Sequence, residues 1–354
     1  QKHATNVHVW FFYVLYNMAS SLEDQRFRKT IEFLHKANVS QYVKLPQIAA
    51  MGDTSCGKSS LLSQILGTPL ACNSEITTRC PVRIRLEKGD ANSDARVDVR
   101  WNDSAHEGVY QKKSVPREKL HLEIRDAQDQ ILSTVGKSVA PDIIEIEVFD
   151  PQWDGLTLID LPGIVRHVGK NDDVNLKQGI RDLIDEFLKN ERCIILAILP
   201  ANVDYHNSEI LDDAREVDPD TLRTLPIITK ADTIDKGAEG PVLKVLMGNE
   251  TEFALGFHMV KCRNQHALDT DVTIEQAIAE EERFFRVNEP WGSVADRMLF
   301  GVPALQTKLS RIQCDMIKKA IPSIRDEIRA LKDQCEKDIS QVGSTLSTDA
   351  ERRN

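Results

Sequence analysis

The chain has 354 residues, 41% hydrophobic and 28% charged, the balance of a globular protein in water; that length exceeds one core of ordinary size and points to two units, or to one large domain with an appendage. A net charge of −10 disfavours wrapping naked nucleic acid, so no specific nucleic-acid partner is expected. Seven cysteines without a C-x-x-C pair argue against a disulfide framework and for reduced thiols in a cytoplasmic setting. Cys72 and Cys80 have no His or Cys neighbours at zinc-finger spacing, and no run reaches the roughly 18–20 apolar residues of a membrane-spanning helix.

The apolar run from Val7 to Tyr16 is too short to span a membrane and is followed by no small-residue cleavage site. It reads either as a bundle helix or as a segment foreign to the native start, for which Met18-Ala19-Ser20-Ser21 is a natural beginning; residues 1–20 are therefore left unassigned. Leu22, Phe27, Ile31 and Leu34 then recur at helical steps among charges, giving an amphipathic helix with Ser21 as N-cap and Asp24 three residues on. That helix belongs to a first bundle segment, residues 21–43. The main domain is expected over residues 44–301. An apolar strand, Leu45 to Met51, leads into Gly52-Asp53-Thr54-Ser55-Cys56-Gly57-Lys58-Ser59, and Ser60 to Leu66 reads as a helix after it. After Pro81 the alternation Val-Arg-Ile-Arg-Leu predicts a strand with one wet face. Residues 88–138 read as a polar elaboration with a strand-like piece at Ala95 to Trp101 and a helix from Pro116 to Val135.

Ile144, Ile146 and Val148 alternate with Glu145 and Glu147 as a half-exposed strand. Gly155 to Ile159 follows after a turn at Asp150 to Asp154, so the two strands are expected to pair antiparallel. Helices at Val174–Lys189, Ser208–Glu216 and Pro241–Met247 then alternate with strands at Cys193–Leu199, Leu225–Thr229 and Phe257–Val260. A helix from Thr273 to Arg286 opens on a Thr273/Gln276 capping box. This alternation predicts an α/β fold with a mainly parallel sheet covered by helices on both faces, and ligands at the carboxyl ends of its strands. From Leu305 to Ile339 apolar residues recur at three and four. That is one long helix, roughly 54 Å over 36 residues, expected to be interrupted and kinked at Pro322. Its segment, 302–340, and residues 21–43 each carry an unburied stripe, and packing the two together as a helical bundle is the economical solution. Residues 341–354 are polar and aperiodic, and read as a flexible or truncated tail.

Four pieces carry chemistry, each expected after a strand. The loop Gly52 to Ser59 fits G-x-x-x-x-G-K-S: backbone N–H groups close around phosphate oxygens, Lys58 supplies a charge to the β/γ-phosphates, and the Ser59 hydroxyl suits Mg²⁺. Thr78 can offer its hydroxyl to Mg²⁺ and its carbonyl to an attacking water. Asp160-Leu161-Pro162-Gly163 can hold the Mg²⁺ shell through water with the carboxylate and sense a γ-phosphate with the Gly163 amide. In Thr229-Lys230-Ala231-Asp232 the carboxylate can accept from guanine N1–H and the exocyclic amine, which adenine lacks, while the Lys230 stem lies on the base. His167, His206 and the other histidines show neither triad nor metal spacing, and Glu280-Glu281-Glu282 reads as a solvated helix face.

These motifs resemble the dynamin superfamily of large GTPases, most closely the Mx proteins. The resemblance covers about residues 20–340 and is carried, in order, by Leu45-Pro46-Gln47-Ile48, Gly57-Lys58-Ser59-Ser60, Thr78-Arg79-Cys80-Pro81, Thr157 to Ile164, Glu216-Val217-Asp218-Pro219 and Val260-Lys261-Cys262-Arg263. It implies a Mg²⁺-dependent GTPase with a P-loop GTPase domain and a flanking bundle signalling element hinged near Pro322. Ser60 would join the phosphate loop, and Asp235, Cys262 and Arg263 would neighbour the base. Ser55 would help bind K⁺ or Na⁺, and Thr54, Ser55, Lys58, Thr78 and Gly163 would serve catalysis. Thr54 stands where the family usually has a Gln that helps place water, so slower turnover is expected. The resemblance also implies a homodimer of GTPase domains that stimulates hydrolysis. It leaves a membrane or a viral nucleoprotein open as target, with peripheral membrane location a further option. The stalk of full-length relatives is not found in this sequence, which therefore looks like a shortened form. A GTP-gated scaffold with little turnover is the alternative reading.

Overall fold

The computed structural model describes residues 26–342, apart from 28, 32, 35–38, 40–41, 71–77, 152–154, 167–175, 204, 206–207 and 249–252. The expectations for residues 1–25 (Ser21 and Leu22 included), Cys72, Thr77, the turn at 152–154, His167, Val174, His206 and the tail beyond residue 342 fall outside the described residues. By packing, the described residues form two compact units. One lies within residues 47–313; the other combines those up to Pro46 with those from Cys314 to Val342.

Among the described residues the first unit is built on a nine-stranded sheet in the order β4-β3-β5-β2-β6-β1-β7-β8-β9. Its strands are β1 Gln47–Gly52, β2 Val82–Glu87, β3 Ala95–Arg100, β4 Lys113–Val115, β5 Ile143–Phe149, β6 Leu156–Asp160, β7 Cys193–Pro200, β8 Thr224–Thr229 and β9 His258–Met259. β6, β1, β7, β8 and β9 run parallel to one another. The continuous apolar sequence of β7, Cys-Ile-Ile-Leu-Ala-Ile-Leu, is buried throughout, as strands covered on both faces require. Helices α1 Lys58–Leu66, α2 Leu120–Val135, α3 Leu176–Leu188, α4 Glu209–Val217, α5 Glu239–Leu246, α6 Gln265–Asp269 and α7 Ile274–Val287 surround it. α7 carries the expected reciprocal cap: Thr273 Oγ1 accepts from Gln276 N and the Gln276 side chain accepts from Thr273 N. The mainly parallel α/β expectation holds.

Two local expectations do not. β5 and β6 are not partners. β2 lies between them, parallel to β5 and antiparallel to β6, because a strand from earlier in the chain supplies the complement. Nor does β2 have a wet face. Arg83 and Arg85 are buried, since the register sets Arg83 against Glu145 and Arg85 against Glu147. Arg83 Nη1 meets Glu145 Oε1 at 2.7 Å and Arg85 Nη2 meets Glu147 Oε1 at 2.9 Å. The alternating charges that looked solvated are instead ion-paired across the strand pair.

In the second unit, residues 26–27, 29–31, 33 and 34 are helical. Ile31, Val43, Leu45, Ile317, Ala320 and Ile324 form one buried cluster, with Phe27, Leu34, Ile321 and Ile328 packed against it. The helix α8, Val302–Val342, begins in the first unit and contains Pro322. It runs without interruption through that proline, contrary to expectation. One missing N–H removes a single hydrogen bond, and the turns on either side keep theirs.

Candidate nucleotide-binding site

The loop after β1 is shaped by close approach. A Cβ on Gly52 would lie 2.5 Å from Cys56 Sγ and 2.7 Å from the Ile198 carbonyl, and Gly57 sits at φ 98° facing the Thr229 hydroxyl. Ser55 also takes a positive φ of 62°. Cys56 is buried, its thiol pushed up to about 11 by burial, so it packs as a neutral apolar group. The thiol is flanked by a structural tie: Thr229 Oγ1, at the end of β8, donates to the Cys56 carbonyl at 2.5 Å.

Lys58 opens α1, and its Nζ meets Asp160 Oδ1, at the end of β6, at 2.6 Å with both side chains buried. Thr78 Oγ1 donates to Asp160 Oδ2 at 3.3 Å. Ser59 and Ser60 follow in the same turn of α1, both half-buried. The loop from Asp160 to Gly163 is stitched to the phosphate loop by backbone bonds, Ile164 N to Gly52 O at 3.0 Å and Thr54 N to Ile164 O at 3.2 Å. Gly163 is half-buried, and a Cβ there would come within 3.2 Å of Thr54 Cγ2. Thr54 and Ser55 are exposed.

Thr78 does not follow a strand, as was expected; it precedes β2. It reaches Asp160 because β2 is antiparallel to β6, so its entry lies at the edge where β6 ends. At the far side of that edge Lys230 adopts φ 55°, and the short turn Ala231–Thr233 leaves Asp232 exposed. Asp235 is also exposed. The loop after β9 brings Cys262 and Arg263, both half-buried, to the edge neighbouring β8, and Arg263 Nη1 donates to the Val272 carbonyl at 3.1 Å.

Arg166 was missed. Its guanidinium joins Asp53 of the phosphate loop at 2.7 Å, Glu209 at 2.8 Å and Asp213 at 3.1 Å. Partial burial raises the Asp53 carboxyl above its ordinary range, and the neighbouring Arg166 only partly offsets this. Nothing in local spacing marks that arginine, since its partners lie far off in sequence. Among the described residues no group of three or more His, Cys, Asp or Glu is placed to hold a metal ion by itself. A metal would therefore rest on Asp160, the hydroxyls of Ser59 and Thr78, and ligand oxygens. That all-oxygen set around one buried carboxylate fits Mg²⁺.

A phosphate loop closed by a lysine–aspartate pair is common to many nucleotide proteins; the comparison with known proteins narrows it. Residues 48–231 match the dynamin family and residues 241–354 match the dynamin central region. The chain belongs to the dynamin family. It is similar to interferon-induced GTP-binding protein Mx1 of Oncorhynchus mykiss, 32% identical over 323 residues, which is 91% of this chain and 51% of the relative. Interferon-induced GTP-binding protein Mx2 of Bos taurus is 33% identical over 319 residues, 90% of this chain and 44% of the relative. The chain thus spans about half the length of the curated relatives it matches, and the dynamin and Mx resemblance expected from the motifs holds. Among the described residues no helix is long and apolar enough to cross a membrane.

Proposed function

We propose that this chain binds GTP with Mg²⁺ and hydrolyses it to GDP and phosphate. The observation that carries the reading is the buried Lys58–Asp160 contact of 2.6 Å inside the phosphate loop. A buried pair of one ammonium and one carboxylate is poised for exchange: Lys58 turns to the β/γ-phosphates, and Asp160, with Ser59 and Thr78, is freed toward a cation. Bound Mg²⁺ would neutralise charge on the β- and γ-oxygens. The remaining work falls to the chain's own groups. The N–H groups of Gly52 to Ser59 cradle the phosphates, the Gly163 amide meets the γ-phosphate, and Asp232 selects guanine with Lys230 on its face. Asp235, Cys262 and Arg263 border the base, and the Thr78 carbonyl holds the attacking water. Ser55 at its positive φ would turn toward a monovalent cation, K⁺ or Na⁺. Relatives named as GTP-binding support the base choice.

Two copies meeting across their nucleotides would stimulate turnover, and hydrolysis would move the helices of the second unit, as in a mechanochemical assembly device. The target of that device, a membrane or a viral nucleoprotein, belongs to the same proposal. One observation favours a second reading, a GTP-gated dimer with little turnover: Thr54 is short and stacks over Gly163, where a longer polar side chain would reach the attacked phosphate. Hydrolysis measured across a range of protein concentrations separates the two. Turnover per molecule that rises with concentration supports the first, and turnover that is flat and near zero supports the second.

A further inference from the structure

Glu281 lies on α7, in the Glu280-Glu281-Glu282 run that reads as a solvated face, yet it is 1% exposed. Its two oxygens face opposite ways along the chain. Oε1 accepts from the backbone N–H of Lys261 at 2.7 Å, and Oε2 accepts from the backbone N–H of Val302 at 2.8 Å. Lys261 opens the loop after β9; Val302 is the first residue of α8. One carboxylate therefore caps an orphan donor of the long helix and pins the loop that carries Cys262 and Arg263.

The surroundings make this joint tight. Gly301 N donates to the Met259 carbonyl at 2.8 Å. His258 Nε2 contacts the Gly301 carbonyl at 2.8 Å. A Cβ on Gly301 would stand 3.4 Å from Glu281 Oε2. The Lys261 ammonium pairs with Glu280 at 2.8 Å and lies over the Phe284 ring. The Arg263 bond to the Val272 carbonyl ties the far end of the same loop to the residue before the α7 cap. The loop thus has little freedom to shift without moving Glu281, and Glu281 has little freedom to shift without disturbing the first turn of α8.

We propose that Glu281 is a positioning residue that couples the Lys261–Arg263 loop to the first turn of α8, so that filling the base side of the site tightens that turn. This rests on the reading of that loop as a neighbour of guanine. The test is amide hydrogen exchange over residues 302–309 together with calorimetric binding. In the wild-type protein GDP should slow exchange there by about fivefold or more, whereas pyrophosphate, which fills the phosphate loop alone, should not. Glu281→Gln keeps one acceptor oxygen but turns an amide N–H₂ against the other donor. It should still bind GDP, within about tenfold, and lose the exchange response. Equal responses to GDP and pyrophosphate, no response in wild type, or a response undiminished in Glu281→Gln each overturn the coupling. The wild-type arm stands even where the variant fails to fold. Failure of wild type to bind GDP at all in calorimetry would overturn the nucleotide reading instead, and the coupling with it.

Discussion

Lys58 meets Asp160 at 2.6 Å and Arg83 meets Glu145 at 2.7 Å, both on carboxylates of the same sheet and similarly shielded from water. The two contacts differ in what surrounds them. Glu145 is shared by Arg83, Arg85 and Arg100, and Glu147 by Arg85 and Arg96. Desolvation alone would raise the Glu145 carboxyl, but Arg83, Arg100 and Arg85 outweigh it and hold it below its ordinary range. Asp160 has one ammonium and one longer hydroxyl contact. Two carboxylates, each shared by two or three planar guanidinium forks, make a static strut, whereas a flexible ammonium on a carboxylate that meets no second cation can be taken over by an incoming anion. Redundancy separates the structural charges of this protein from the pair to which the proposed function gives work.

Breaking each cluster should therefore fail differently. Lys58→Ala should cost nucleotide affinity at least a hundredfold, roughly 3 kcal/mol or more, and also leave the buried Asp160 without its countercharge. Calorimetry with GDP, beside a melting curve, checks both. Glu145→Ala strands the buried Arg83 and should cost about 3–5 kcal/mol of folding stability, read by urea unfolding, while GDP affinity stays within about twofold at temperatures where the variant is folded. An affinity loss in Glu145→Ala as large as that in Lys58→Ala would erase the distinction.

Much of this comparison was legible in the sequence, and the reason for the rest is physical. The phosphate loop, Asp160 and Thr229 were readable because each sits in a contiguous motif beside a periodic strand. The insertion of β2 between β5 and β6 was not, because pairing between distant segments leaves no local period. The complementary Arg-x-Arg of β2 and Glu-x-Glu of β5 was the available signal, and alternation alone misassigned both faces to water. Thr78 was expected after a strand and instead precedes β2, since strand direction is invisible locally. Arg166 and Glu281 are tertiary choices: their partners at Asp53, Asp213, Lys261 and Val302 come together only once the sheet edge is assembled.

A smaller effect sharpens the contrast by titration. Burial depresses His258 to about 3, so the unfolded chain alone takes up that proton below about pH 6.5; His258 withdraws stability as pH falls from 6.5. Burial raises Glu281 to about 7, above its unfolded range, with the Val302 and Lys261 amides only partly opposing. The folded state alone then holds that proton between about pH 4.5 and 7, and stability falls as pH rises through this window. Between pH 5 and 6.5 the two slopes oppose. In urea unfolding Glu281→Gln should expose the histidine slope, losing on the order of 1–2 kcal/mol between pH 6.5 and 5 relative to wild type. An identical pH profile in both proteins would remove this account. Smallest of all, Thr54→Gln should raise turnover at saturating GTP by several-fold, about 1 kcal/mol in the barrier, with affinity unchanged; no gain would sink the role given to that position.

The central claim is that a guanine nucleotide draws Lys58 away from Asp160 while Asp232 chooses the base. Its most direct measurement is calorimetric titration of the wild-type chain with a non-hydrolysable GTP analogue and Mg²⁺, repeated with the inosine and adenosine analogues. The expected order is guanosine tightest, inosine weaker by roughly tenfold or more for one lost charged hydrogen bond, and adenosine weakest. Equal affinity for all three, or no binding of any, would contradict it.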